Sequence, residues 1–335
     1  MFTLTKKIKI FSFTLIVLGL LGIAFGFYSA PTTIKESKEM VSHHHHEDDH
    51  SSPEDNSTEY YNKYESHEDG GHMSHDEHVF HQLANRPWAA LYVAAFFFFM
   101  ISLGTLAFYA IQRASQSGWS PVLFRVMEGI TAYLLPGGLI LLIILLLSVM
   151  HLNHLFIWMD PEVVEHDKII KAKSGYLDPY FFLIRGVIYL SGWYFYRYLS
   201  RKFSLLQDSS NDNIYHIKNF KLSAGFLVFF LVTESMMSWD WIMSIDPHWF
   251  STLFGWYVFA SMAVSGITTI ALISIYLKSN GYLPNVNDNH LHDLAKFMFG
   301  FSVFWTYLWF SQFMLIWYSN IPEEVVYFIS RIEDY

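Results

Sequence analysis

Seven stretches of this 335-residue chain are almost wholly apolar, separated by polar segments rich in turn-forming residues. They cover 8–28, 88–111, 126–150, 180–199, 222–244, 252–277 and 297–319. A helix needs roughly 20 mostly apolar residues to cross the hydrocarbon core, and each stretch is of that length. The pattern predicts an all-α, polytopic transmembrane helix bundle with seven spans. Some spans are near-continuous apolar runs, such as Ala94–Met100 and Leu139–Met150, while others are broken by Gly, Ser and Thr, as suits close packing in a bundle. The first span follows Lys6, Lys7 and Lys9 and resembles a secretory signal. Tyr28 at the −3 position and Pro31 after Ala30 oppose cleavage, so residues 1–28 are expected to remain as an anchor. Residues 29–84 then form an external segment, and 85–335 the bundle.

Composition agrees with this class. Only 15% of residues are charged and 53% are hydrophobic, against about 25% charged in a typical soluble domain. There are no cysteines, which excludes disulfides, cysteine nucleophiles, thioether-attached haem and thiolate-held iron–sulfur clusters in this chain. A redox role would have to use a diffusible quinone, histidine-held cofactors, or clusters carried by partner chains.

The net charge of −9 is unevenly placed. Residues 29–84 hold thirteen acids and three bases, a local −10, and the remaining 17 acids and 18 bases leave the body at +1. With the N-terminus in the cytoplasm, the cytoplasmic ends collect Lys6, Lys7, Lys9, Arg113, Arg125, Arg197, Arg201, Lys202, Lys218, Lys221, Lys278 and Lys296. That excess of bases near span ends is the positive-inside pattern, and it puts 29–84 outside the cytoplasm.

The 29–84 segment also carries ten histidines and few branched apolar residues, so it cannot bury a core of its own. Its His72, His75 and His78 spacing would allow divalent metal binding, but no compact four-ligand pattern stands out, and an acidic tether or a strip along a partner is the favoured reading. The loops at 200–219 and 279–293 are polar connectors. They contain no phosphate-binding glycine pattern and no basic stretch suited to nucleic acid.

The informative residues are ionisable groups within or near the spans: Glu128, Arg185, Glu234 and Asp240. Such groups are costly in lipid and often mark ion or proton paths. Glu234 lies mid-span, and Asp240 six residues later on a different helical face, so the two do not make a paired-carboxylate acid/base site. They could be stations of a relay through Thr233, Ser235, Ser238 and water. The alternatives are a hydrogen bond from Glu234 to a neighbouring helix and an interfacial Asp240. Arg185 pairs with a carboxylate or reaches outward, and Glu128 is either a helix-start carboxylate or the cytoplasmic mouth of the relay. His151 and His154, at i,i+3 spacing, could meet a metal or a quinone carbonyl, although unliganded interfacial histidines are commoner. No histidine sits mid-span, which argues against a b-type dihaem cytochrome. Pro136, Gly137 and Gly138 predict a kink in the third span that lines a cavity or eases packing.

The segment Met237–Met262, "MSWDWIMSIDPHWFSTLFGWYVFASM", resembles the polysulfide-reductase-type (NrfD-like) membrane subunits, most closely the second such subunit of bacterial alternative complex III. Lys171–Asp178 and Leu18–Pro31 fit the same family, and the likeness covers roughly 1–320. The resemblance implies a bacterial inner-membrane subunit of a quinol:cytochrome c-type oxidoreductase. Iron–sulfur clusters and haem c would sit in partner subunits, and quinol would bind mainly at a homologous membrane subunit. The role left to this chain is assembly and proton translocation without redox centres of its own. Members of that family usually have about ten spans, whereas seven are predicted here, so a short form or an incomplete sequence is expected. A secondary transporter using the buried carboxylates and a scaffold subunit without chemistry are the competing readings.

Overall fold

The computed structural model describes residues 6–38 and 75–333, which are mostly helical, with no strand among the described residues. The chain divides into two compact units.

The first unit contains α1 (Lys6–Ser29), the start of α2 (His75–Ala114) and the short segment 153–155. None of the described residues of α1 is buried. That fits an element whose apolar surface meets lipid on all sides. Near its end, the Phe27 ring meets Trp88 edge-on at 4.8 Å. A helical turn at 34–38 follows, opened by Glu36, whose carboxylate accepts from the Thr32 N–H at 2.8 Å and its hydroxyl at 2.9 Å.

The second unit holds the rest of α2 and all later helices. These are α3 (Phe124–Ile130), α4 (Leu134–Val149), α5 (Pro161–His166), α6 (Lys168–Lys173), α7 (Pro179–Asp208), α8 (Ile214–Trp241), α9 (Phe254–Ser279), α10 (Asp288–Ser319) and α11 (Pro322–Glu333). The helices α4, α7, α8, α9 and α10 are neighbours in that order. Between α2, α7 and α8 lies an aromatic core of Phe99, Tyr189, Trp193 and Trp241, each almost fully buried. Aspartates start the helices where chain direction changes: Asp167 accepts from the N–H groups of Ile169 and Ile170, and Asp178 from those of Tyr180 and Phe181.

Six helical stretches among the described residues are long and apolar enough to cross a membrane: Lys6–Ser29, Phe80–Ala114, Ser120–Val149, Ile214–Ile245, Phe254–Ser279 and Asp288–Ser319. The chain is therefore a multi-pass membrane protein by length and composition of its helices. The expected crossing at 180–199 forms a helix, α7, but Arg185, Arg197 and five tyrosines keep its hydropathy outside that set.

The third span is interrupted as Pro136 predicts. A 3-10 turn at Thr131–Tyr133 separates α3 from α4. Proline lacks an N–H and crowds the carbonyl four residues earlier, which is Ala132. Gly138 packs against α7, where an added Cβ would lie 2.7 Å from the Leu190 side chain. Here the break serves close packing.

The tightest crossing joins α2 to α9. A Cβ on Gly104 would run into the Met262 carbonyl oxygen, and one on Gly266 would lie 2.7 Å from the Thr105 nitrogen. Both obstacles are backbone, which cannot swing aside. Gly104→Ala should therefore destabilise the bundle by about 1–3 kcal/mol, the usual scale of overpacking. Gly225, whose added Cβ would meet nothing within 4 Å, should tolerate alanine or gain about 0.5–1 kcal/mol. Thermal midpoints of the two variants in detergent, moving in opposite directions, are the check.

Candidate functional site

The four ionisable residues predicted in the spans fall into three different situations. Asp240, on the last turn of α8, is fully buried. Arg185 of α7 grips it with two hydrogen bonds, Nε to Oδ2 at 2.8 Å and Nη2 to Oδ1 at 2.9 Å. The Tyr189 hydroxyl donates to Oδ2 at 2.9 Å. Arg185 also donates to the Tyr176 carbonyl oxygen at 3.1 Å and lies over the Tyr176 ring at 4.2 Å. This forked geometry is the strong form of an ion pair, and it fixes both side chains. Of the readings open for Arg185, the structure shows the carboxylate pair.

Glu128 of α3, 5% exposed, is held at the opposite end of the bundle by arginines. Arg125 donates to Oε2 at 2.8 Å, Arg201 donates to the same oxygen, and Arg113 stands 3.9 Å from Oε1. The Tyr109 hydroxyl completes the set at 3.2 Å. Glu128 is thus the centre of a charge cluster that joins α2, α3 and α7.

Glu234 has neither kind of partner. It is 3% exposed on α8, makes no ion pair among the described residues, and its Oε1 has no hydrogen-bond donor there. The hydroxyls expected to carry a relay away from it are committed to backbone carbonyls one turn back. Thr233 donates to Phe229 at 2.9 Å, Ser235 to Leu231 at 3.0 Å and Ser238 to Ser235 at 2.7 Å. Trp193 Nε1 occupies the Thr233 oxygen at 2.9 Å. No hydrogen bond among the described residues links Glu234 to Asp240, so a proton leaving Glu234 would travel through water.

The histidine candidates are placed differently. α4 ends at Val149, and His151 takes a left-handed conformation with φ of 56°. The His151 N–H reaches the Ser148 carbonyl and the Leu152 N–H the Leu147 carbonyl, both at 3.0 Å, a Schellman closure of the helix. The helical spacing that would set His151 and His154 on one face therefore ends before either residue. In the first unit His154 is clamped by Asn85, whose amide accepts from the His154 N–H at 3.0 Å and donates to its carbonyl at 2.9 Å. The His154 ring rests on His81 at 4.6 Å. His72 lies outside the described residues, and His75 and His78 stand in the first turn of α2. No group of three or more potential metal ligands occurs among the described residues.

The DPHWFS turn is tied down by residues from two other parts of the chain. His248 Nε2 lies 2.5 Å from the Asp167 carboxylate, and Lys173 Nζ donates to the Pro247 carbonyl at 2.5 Å. Trp249 stacks on Tyr327 of α11 with centroids 3.7 Å apart. Partial burial opposes ionisation of Asp167, but the Ile169 and Ile170 N–H groups and the His248 ring outweigh it and hold the carboxyl below the usual aspartate range. Burial lowers the Lys173 pKa, against the pull of Asp246 and Asp167. Asp167 was a residue sequence reasoning missed; the helix-cap position before Lys168 was the available signal. On α10, Trp305 Nε1 donates to Ser261 at 2.7 Å, and Gln312 is buried.

Removing one member of a buried ion pair strands the other charge. Arg185→Leu or Asp240→Leu should each cost about 3–5 kcal/mol, while the double leucine variant should recover most of that loss. Thermal midpoints of the four proteins in a double-mutant cycle provide the test. The depressed Asp167 pKa contributes stability above the unfolded aspartate pKa, and this is lost as pH falls through the folded value. Asp167→Asn should therefore flatten the acid limb of the stability–pH profile. Compared with known proteins, the chain matches no family model and no curated sequence, so its chemistry has to be argued from this geometry.

Proposed function

We propose that the chain is an integral-membrane subunit of a quinol-oxidising respiratory complex of the alternative complex III kind, in which Glu234 serves as a proton station. The observation that carries the reading is the contrast among the three buried carboxylates. Asp240 and Glu128 are ion-paired to arginine and are structural, whereas Glu234, also buried, meets no cation among the described residues and its Oε1 no hydrogen-bond donor there. A carboxyl with no fixed counter-charge can be neutral or ionised without breaking an ion pair, which a station on a proton path requires. The resemblance at Met237–Met262 begins three residues after Glu234, on the last turn of α8, and supports the membrane-subunit reading.

In this reading α7 is the seventh crossing. At about 1.5 Å per residue its 30 residues are long enough, its Arg185 is neutralised by Asp240, and it exposes Phe181, Ile184, Val187, Ile188 and Phe195. The N-terminus lies in the cytoplasm of a bacterium, and 29–84 lies in the periplasm. Quinol oxidation falls to the homologous membrane subunit, since His151 and His154 lack the helical alignment that recommended them. Iron–sulfur and c-type cytochrome subunits carry the electron centres, in keeping with the absence of cysteine.

One competing reading, a secondary transporter, rests on the buried carboxylates. Purification under mild detergent separates the two: c-haem absorbance and iron–sulfur partners are expected with the chain, and a stable lone polypeptide would overturn the complex. Within the complex, Glu234→Gln should keep assembly intact and lower the protons released per quinol oxidised in vesicles. Unchanged proton stoichiometry at unchanged turnover would remove Glu234 from the path.

A further inference from the structure

We propose that Arg197 and Arg201, assisted by Arg125, bind the phosphate group of an anionic phospholipid at the end of the bundle where α7 finishes. The starting point is charge balance around Glu128. Four arginines, 113, 125, 197 and 201, gather there against two carboxylates, Glu128 and Asp208, leaving two positive charges in excess. Arg113 is committed within the protein: its Nε donates to the Tyr109 hydroxyl at 3.0 Å, Nη2 reaches Ser204 at 3.4 Å, and its carbon lies 4.1 Å from the centre of the Phe124 ring. Arg125 divides itself between Glu128 and Asp208.

The other two arginines are under-used. A guanidinium has five N–H donors. Arg201 directs one terminal nitrogen at Glu128 and is otherwise open, with 39% of its side chain exposed. Arg197, four residues earlier on the same face of α7, has an Nε that is buried without a hydrogen-bond partner among the described residues. A buried donor on a charged group carries the full cost of its lost hydration unless an acceptor reaches it. Two adjacent cations, one of them unmet, form a fork suited to phosphate oxygens, which guanidinium groups engage in pairs.

The surroundings favour a lipid as the source of that phosphate. Phe195, Tyr198 and Leu205 lie on neighbouring positions of α7 and are 60%, 53% and 49% exposed. They offer apolar surface to acyl chains beside the charged fork. Basic pockets between transmembrane helices are a recurrent way to hold anionic headgroups.

The test uses the protein as it purifies, with any partner subunits it retains, in a zwitterionic detergent and measures lipid retained per protein and the thermal midpoint. The probes are a phosphatidylglycerol, a phosphatidylcholine of the same chains, and inorganic phosphate. Wild type should retain the phosphatidylglycerol and be stabilised by it far more than by the phosphatidylcholine. Arg197→Gln should bind phosphatidylglycerol about tenfold more weakly, the scale of one charge-assisted hydrogen bond, and R197Q/R201Q more weakly still. Among the described residues Arg197 makes no salt bridge and its Nε no hydrogen bond, so its variant should keep the helicity and elution of the parent. Stabilisation by inorganic phosphate, lost in R197Q, would support the same site with a free anion as its source. Equal binding of the two lipids by wild type, which needs no variant to interpret, would overturn the proposal. So would wild-type affinity for phosphatidylglycerol in a folded R197Q.

Discussion

The bidentate pair between Arg185 and Asp240 determines how α7 can belong to the bundle at all. Neither residue tolerates hydrocarbon alone, and an uncompensated buried charge costs several kcal/mol. Paired in forked geometry, with Tyr189 on one oxygen, they let a helix with three arginines and five tyrosines stand beside α8. Once α7 is set there, Trp193 reaches Thr233, Gly138 of α4 closes on Leu190, and the Phe99–Trp193–Trp241 core fills. One electrostatic contact thus fixes the register of an aromatic interior.

The same rule, that a charge in this setting must be met, sorts the remaining ionisable groups by what they can do. The arginines around Glu128 tie α2, α3 and α7 to one carboxylate. Its function is to hold three helices together. Glu234 has no ion pair among the described residues. The hydroxyls around it are turned to their own helix backbone, and its Oε1 meets no hydrogen-bond donor among the described residues.

Much of this was legible in the sequence, and the limits have physical causes. Helix positions followed from apolar run length, because hydrocarbon thickness imposes one scale on every span. The break ahead of Pro136 followed from proline chemistry. Pairing did not follow: Asp240 and Arg185 are 55 positions apart, and nothing in one dimension states that α7 and α8 face each other in that register. The His151–His154 expectation failed because it assumed the helix continued past Val149. A left-handed residue that is not glycine or asparagine leaves no mark in composition.

The two ends of the second unit solve the problem of excess polarity in different ways. At the end bearing the DPHWFS turn, charges are matched locally: Asp167 meets His248, Lys173 meets a carbonyl, and Arg331 lies over the Tyr327 ring. At the Glu128 end the protein gathers more arginine than carboxylate, and the surplus sits where α7 leaves the apolar region. A surplus so close to the hydrocarbon would be destabilising for an isolated polypeptide. It is sensible for one that folds against phosphate headgroups, because the membrane then supplies the counter-charge the chain omits. In that sense the bilayer takes part in the fold as a chemical partner as well as an apolar solvent.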